Sequence, residues 1–246
     1  MEELTTALWV GLAFTAFMVG LSKGGIAGIG NIVIPLMAIL FGGKASTGIL
    51  VPLLVVADAA ALLYYRREAS WAAIGKLIPW TLAGIIAGTY IGNIISDRVF
   101  IYSIAFLIVL GVGLVIYQDV RKTVLIPQGW GFSAALGILG GIATMIGNAA
   151  GPILMFYLLT LKVPKNTFVG TSAWYFCIIN LMKLPFHIFV WKTITWETLK
   201  MDMYVMPMLF VGAIAGILLL RIISEKGFRY YVLAATFLSA VFMLLS

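Results

Sequence analysis

The chain has 246 residues, of which 63% are hydrophobic and only 10% charged, with a mean hydropathy of +1.10 and a formal net charge of +7. That composition excludes a water-soluble domain, because one core cannot absorb so much apolar surface and the remainder could not be solvated. The sixteen basic residues are scattered through short connections, which excludes a nucleic-acid-binding patch and leaves them a topological role.

The opening Met1-Glu2-Glu3 is acidic where a signal peptide is basic, and no small-residue cleavage pattern follows the first apolar run. Residues 4–20 are therefore expected to be a retained helix. Hydropathy then predicts helices over 26–41, 46–66, 72–95 and 99–118. After a polar linker from Asp119 to Gln128, five more are predicted over 129–145, 148–161, 167–190, 199–221 and 228–245. The expected fold is an all-α polytopic membrane protein.

The second half repeats the first. Gly20, Gly24, Gly30, Asn31 and Pro35 reappear 117 residues later as Gly137, Gly141, Gly147, Asn148 and Pro152. At an offset of 128, Pro79, Gly84, Ala87 and Gly88 reappear as Pro207, Gly212, Ala215 and Gly216. Residues 1–120 and 127–246 are thus expected to be two transmembrane repeats of one integral membrane domain, joined by a loop at 121–126. Five helical segments per repeat is an odd number, so the repeats would have inverted topology. On that alternation Lys23, Arg66, Arg67, Arg121, Lys122, Lys162, Lys165, Arg221, Lys226 and Arg229 share one face, against Lys44, Arg98, Lys192 and Lys200 on the other. The more basic face is expected to be cytoplasmic, which puts both termini outside.

Gly24-Gly25-Ile26-Ala27-Gly28-Ile29-Gly30-Asn31 cannot be an ordinary helix interior, since each glycine costs about 1 kcal/mol relative to alanine. It predicts a broken helix or a re-entrant hairpin, and Gly140 to Pro152 predicts the same in the second repeat. Such backbone is tolerated at membrane depth only in protein or beside a wet cavity. A helix that restarts there aims unpaired N–H groups into the gap, as an anion site requires. Asn31 and Asn148 would add amide donors, and Lys23 a full charge in one copy only. Glycine clusters also serve close helix packing. Close packing does not call for asparagine, so the duplicated Gly-Asn favours the break.

Asp58 lies well inside the third predicted helix, and its counterpart 122 residues later is Asn180; Lys183 follows one turn on. Charges at bilayer depth must pair or face a cavity, and Asp58 with Lys183 is the expected pair across the repeat axis. Asp58 is a candidate proton carrier, Lys183 a candidate attractor of the anion, and a purely structural ion pair is the alternative. His187, the only histidine, is expected to be a hydrogen-bonded residue near a helix end. One His, one Cys at Cys177 and one clearly buried Asp leave no metal cluster or catalytic set, so an enzyme is not expected, and no cofactor is implied.

The stretch Gly20-Leu21-Ser22-Lys23-Gly24-Gly25 to Pro35-Leu36, with Val51-Pro52-Leu53-Leu54-Val55-Val56-Ala57-Asp58, closely resembles the sulfite exporter TauE/SafE family, also known as the toluene sulfonate uptake permeases. Gly151-Pro152, Thr167-Phe168-Val169-Gly170-Thr171 and Asn180-Leu181-Met182-Lys183-Leu184-Pro185 carry the resemblance through the second half. It implies a bacterial inner-membrane carrier of sulfite, sulfonates such as sulfoacetate, or other small anions. The candidate substrate-binding residues are Ser22, Lys23, Gly24, Gly25, Gly30, Asn31, Gly147, Asn148, Gly151 and Thr171. Asp58, Asn180 and Lys183 are the candidates for coupling or gating. Alternating access about the two breaks is the first reading, and an anion channel or a carrier of a non-sulfur organic anion the second. An inside-negative potential expels an anion, so export needs no coupling ion, whereas uptake would need a proton or another cation.

Overall fold

The computed structural model describes residues 5–26, 29–65, 68–92, 94, 109, 117 and 129–245. These are mostly helical, with no strand among them. The helices are α1 (Thr6–Lys23), α2 (Gly30–Phe41), α3 (Gly43–Tyr65), α4 (Trp71–Ile91), α5 (Trp130–Gly147), α6 (Ala150–Leu161), α7 (Lys165–Pro185), α8 (Trp196–Ile222) and α9 (Glu225–Leu245). A five-residue π-helical turn, Phe186–Val190, extends α7. The predicted helix over 99–118, Arg66, Arg67 and the inter-repeat loop lie outside the described residues.

Among the described residues six spans are long and apolar enough to cross a membrane: α1, Lys44–Tyr65 of α3, α4, α5, Lys165–Val190 and α8. The short helices α2 and α6 have 12 residues each. At 1.5 Å per residue such a helix reaches about 18 Å, against a hydrocarbon thickness of about 30 Å. Neither can cross unaided.

Close helix contacts bind the two halves of the sequence together. α1 lies along α8 in the same direction: Trp9 meets Tyr204 edge-on, Gly20 lies against Leu209 and Ala213, and Gly24 lies against Gly216 and Ile217. α4 lies along α5, again in the same direction. There Gly137 lies against Leu77 and Thr81, Gly141 against Gly84 and Ile85, and Gly88 against Ile142 and Met145. α3 and α7 run in opposite directions, for Gly48 meets Thr193, Asp58 meets Asn180, and Gly170 meets Tyr65 and Glu68. Small residues at these crossings let backbones approach so that van der Waals packing replaces the hydrophobic drive that lipid cannot supply.

The repeated glycines therefore divide by role. Gly20, Gly24, Gly137 and Gly141 serve packing, and α5 continues unbroken through Gly140 and Gly141 to Gly147. The second break is confined to Asn148 and Ala149, shorter than the stretch from Gly140 expected of it. Of the tryptophans, Trp71, Trp130 and Trp196 are exposed near helix ends, whereas Trp191 turns inward and its Nε1 donates to Thr89 O at 3.2 Å. Large apolar side chains such as Leu63, Tyr90, Phe189, Tyr204 and Ile222 cover the outer surface, where lipid rather than water is the solvent.

Candidate functional site

Both breaks open onto one place. α1 ends at Lys23, where the Gly24 N–H donates to the carbonyl of Gly20 and the Gly25 N–H to that of Ser22. Gly25 then takes φ 131°, a backbone conformation open to glycine, which turns the chain toward α2. In the second copy Asn148 takes the left-handed conformation at φ 55°, one of the few non-glycine residue types suited to it. α2 and α6 then restart with no side-chain cap on their first N–H groups. Those donors, and the positive end of each helix dipole, are left to whatever lies in front of them.

In front of them is a cavity of about 80 Å³. Its wall is built from Ser22, Lys23, Gly25 and Gly30 of the first break, Thr144, Asn148 and Gly151 of the second, and Leu54, Met155, Phe168, Val169, Ser172, Ala173, Phe176 and Asn180. A smaller cavity of about 40 Å³ lies on the side of α1, α2 and α3 and shares Ser22, Lys23, Gly30, Leu54 and Asn148. These five residues form the partition between the two spaces.

The charges around the partition are unequal. Lys23 Nζ is 2.7 Å from Asp58 Oδ1, with the Asp58 side chain fully buried and that of Lys23 13% exposed. The same ammonium sits 3.7 Å from the centre of the Phe176 ring, whose face is negative and which keeps water off one side of it. Asn180 Nδ2 donates to Asp58 Oδ2 at 2.7 Å, so both carboxylate oxygens are engaged. Lys183 is fully buried and spends its three N–H bonds on neutral oxygens: Thr144 O at 3.3 Å, Thr144 Oγ1 at 3.1 Å and Asn148 Oδ1. Among the described residues the site thus holds two lysines against one aspartate, a formal net charge of +1. A buried charge without a counterion is costly, and an anion in the cavity would relieve it.

The expected pairing of Asp58 with Lys183 is not what forms. Asp58 takes Lys23, because the end of α1 lies beside α3, while Lys183 reaches the other way to the end of α5. The remaining expected residues fall on both sides of the site. Ser22, Lys23, Gly25, Gly30, Asn148 and Gly151 line the cavity, and Asn180 lines it as well as holding Asp58. Gly24 faces α8, and its carbonyl accepts from Tyr65 Oη at 3.0 Å. Thr171 is a tie between segments, its Oγ1 accepting from the Ser70 N–H at 2.9 Å. Gly147 closes α5 and is absent from the wall. Asn31 lies in the first turn of α2, and its side chain is outside the described residues.

Eight of the fifteen wall residues were not among the candidates, Thr144, Phe176 and Met155 among them. Thr144 stood inside the quoted glycine motif and could have been flagged as its one hydroxyl; Phe176 and Met155 carried no signal, because an aromatic or a methionine in an apolar helix is ordinary. Outside the cavity, Asp202 is 2% exposed in α8, and neither carboxylate oxygen has a partner among the described residues. The rule that marked Asp58 would have marked it too. His187 has the expected hydrogen bond, from Nδ1 to Thr193 Oγ1 at 2.8 Å, though buried in the π-helical turn against Trp191. No group of His, Cys, Asp and Glu suited to a metal ion occurs among the described residues.

The family model described as Sulfite exporter TauE/SafE matches residues 12–243, nearly the whole chain. No curated protein and no solved structure matches it.

Proposed function

The chain belongs to the sulfite exporter TauE/SafE family of multi-pass membrane transporters, and from that premise we propose that it is a secondary transporter exporting small sulfur-containing anions, such as sulfite or sulfonates, by alternating access. The observation that carries the reading is the excess of positive charge at the cavity. Lys23 lines it, Lys183 stands behind its wall on Asn148, Asp58 is the one carboxylate paired there among the described residues, and two uncapped helix N-termini flank the same space. A cation would be repelled, and a neutral solute would leave the buried charge unanswered.

The motion is proposed to be a rocking of two inverted repeats, residues 1–120 against 127–246. Three contacts support this. Asp58 and Asn180 are equivalent under the 122-residue offset and hydrogen-bond to each other, as equivalent residues do only on the axis that relates them. Their helices, α3 and α7, run in opposite directions, as an axis lying in the membrane plane would require. The packing of α1 on α8 then has its counterpart in α5 on α4. Rocking would expose the partition first to one side and then to the other. Outward movement of a monoanion is favoured by an inside-negative potential, by about 2.3 kcal/mol per 100 mV, so export needs no coupling ion. The site is proposed to lie in the inner membrane with both termini outside.

A thermal-shift screen of the detergent-purified protein against sulfite, sulfate, thiosulfate, isethionate, sulfoacetate, taurine and matched carboxylates tests the substrate class, since a ligand of the folded state raises apparent stability by mass action. Stabilisation by sulfur anions above their carboxylate counterparts is expected. A flat response would remove the anion site, and preference for the carboxylates would make this a carrier of non-sulfur organic anions. Asp58 gives a second test, because it is the acid that holds Lys23. In proteoliposome flux measurements Asp58→Asn is expected to change the pH profile of transport; an unchanged profile would make Asp58 a structural partner of Lys23 only.

A further inference from the structure

Two side-chain amides line the cavity, and each is oriented from behind by a charged group that allows one choice. Asn148 Oδ1 accepts from the Lys183 ammonium, which can only donate. What Asn148 has left to offer is Nδ2, a donor. Asn180 Nδ2 donates at 2.7 Å to the Asp58 carboxylate, which can only accept while it is paired with Lys23. What Asn180 has left is Oδ1, an acceptor. Both remaining atoms, Asn148 Nδ2 and Asn180 Oδ1, are buried and have no partner among the described residues, and Asn180 as a whole is 1% exposed.

Such atoms are expensive in the apo protein, at about 1–3 kcal/mol each when left unmet. An oxyanion satisfies the first, since Asn148 Nδ2 and Lys23 donate to it. It cannot satisfy the second. A fully deprotonated oxyanion has only lone pairs, and set against Asn180 Oδ1 it would meet repulsion between two acceptors. The net charge of the described side chains adds a second constraint, since +1 is neutralised by one negative charge and overrun by two.

Resting on the reading of this cavity as an anion site, we propose that its ligand is a compact monoanion that carries a hydrogen-bond donor besides its oxyanion: a sulfonate-type group with a hydroxyl or amino hydrogen beside it, or a singly protonated oxyanion. The oxyanion lies toward Lys23 and Asn148, and the donor hydrogen toward Asn180 Oδ1. Asn180 is then the specificity-determining residue, and Lys183 is a positioning residue that acts through Asn148 by fixing which end of its amide faces the ligand.

Sulfamate and methanesulfonate form a matched pair for the test. Both are compact monoanions of the same shape, one with N–H donors and the other with a methyl group in their place. Calorimetric titration of the full chain in nanodiscs is expected to show sulfamate binding about tenfold or more tightly than methanesulfonate, the cost of leaving a buried acceptor unmet. Sulfate, a dianion of similar size, should bind more weakly than sulfamate. In Asn180→Leu the ratio of sulfamate to methanesulfonate affinity should fall toward one, and the wild-type comparison stands whether or not that variant folds. Equal affinities in the wild type, both lost in Lys23→Ala, would overturn the inference and leave the anion site standing. Sulfate binding tighter than sulfamate would overturn the monoanion requirement. If none of the three binds, and sulfite does not bind either, the transport reading fails and this inference fails with it.

Discussion

Lys23→Ala is expected to weaken anion binding by about a hundredfold or more, the scale on which removal of one partner from a buried charge pair acts. It removes the ammonium that lines both cavities. It also strands Asp58, which is fully buried and keeps only Asn180 Nδ2, so the folded protein should lose about 3–5 kcal/mol as well. The two effects separate in the double variant Lys23→Ala/Asp58→Asn. With no buried carboxylate to strand, most of the stability should return while binding does not. Lys76→Ala is the control, since Lys76 is an exposed residue of α4 away from the cavity. Calorimetric titration together with thermal melting would read both quantities. Equal, small effects of Lys23→Ala and Lys76→Ala would take Lys23 out of the site.

Gly20→Ala, Gly84→Ala, Gly141→Ala and Gly212→Ala should each be strongly destabilising, although alanine is the better helix former. A methyl group on Gly20 would collide with the carbonyl oxygen of Leu209, on Gly84 with that of Ile138, on Gly141 with that of Thr81, and on Gly212 with that of Phe17. Backbone cannot step aside as a flexible side chain can, so the cost should reach about 3 kcal/mol, the upper end of ordinary overpacking. Gly75→Ala is the opposite case. Nothing lies within 4 Å of the added methyl, and the change should stabilise α4 by up to about 1 kcal/mol. Melting of the five variants in one detergent checks the contrast. If Gly20→Ala melts with Gly75→Ala, the helices do not approach each other so closely.

Glycines of identical appearance in the sequence thus have different jobs. Gly24 and Gly25 are neighbours, yet Gly24 meets the backbone of α8 while Gly25 lines the cavity with a positive φ. Nothing local distinguishes them, because the difference lies in what each one meets on α8: backbone for Gly24, the flexible Leu220 side chain for Gly25. The segment order was legible, since hydropathy and glycine are local signals that each span carries for itself. So were the two breaks, and Ser22, Lys23, Gly25, Gly30, Asn148 and Gly151 of the cavity wall followed from them. Thr171 was not separable from those, because it matches the family pattern for a structural reason: it accepts a hydrogen bond from the Ser70 backbone across 101 residues of chain.

By itself the sequence determined that this protein lives in a bilayer, that a Gly-Asn pattern occurs twice at one offset, and that Lys23, Asp58 and Lys183 interrupt apolar stretches. Each of these follows from composition or spacing, and a charge in an apolar run is costly whatever surrounds it. Only the tertiary structure decided that Lys23 rather than Lys183 answers Asp58, that Lys183 holds the second break, and that opposite ends of the Asn148 and Asn180 amides are left without a partner among the described residues. Pairing inside a membrane protein depends on which helix ends abut, and a side chain's partner there is set by a few ångströms of helix placement that no single segment encodes.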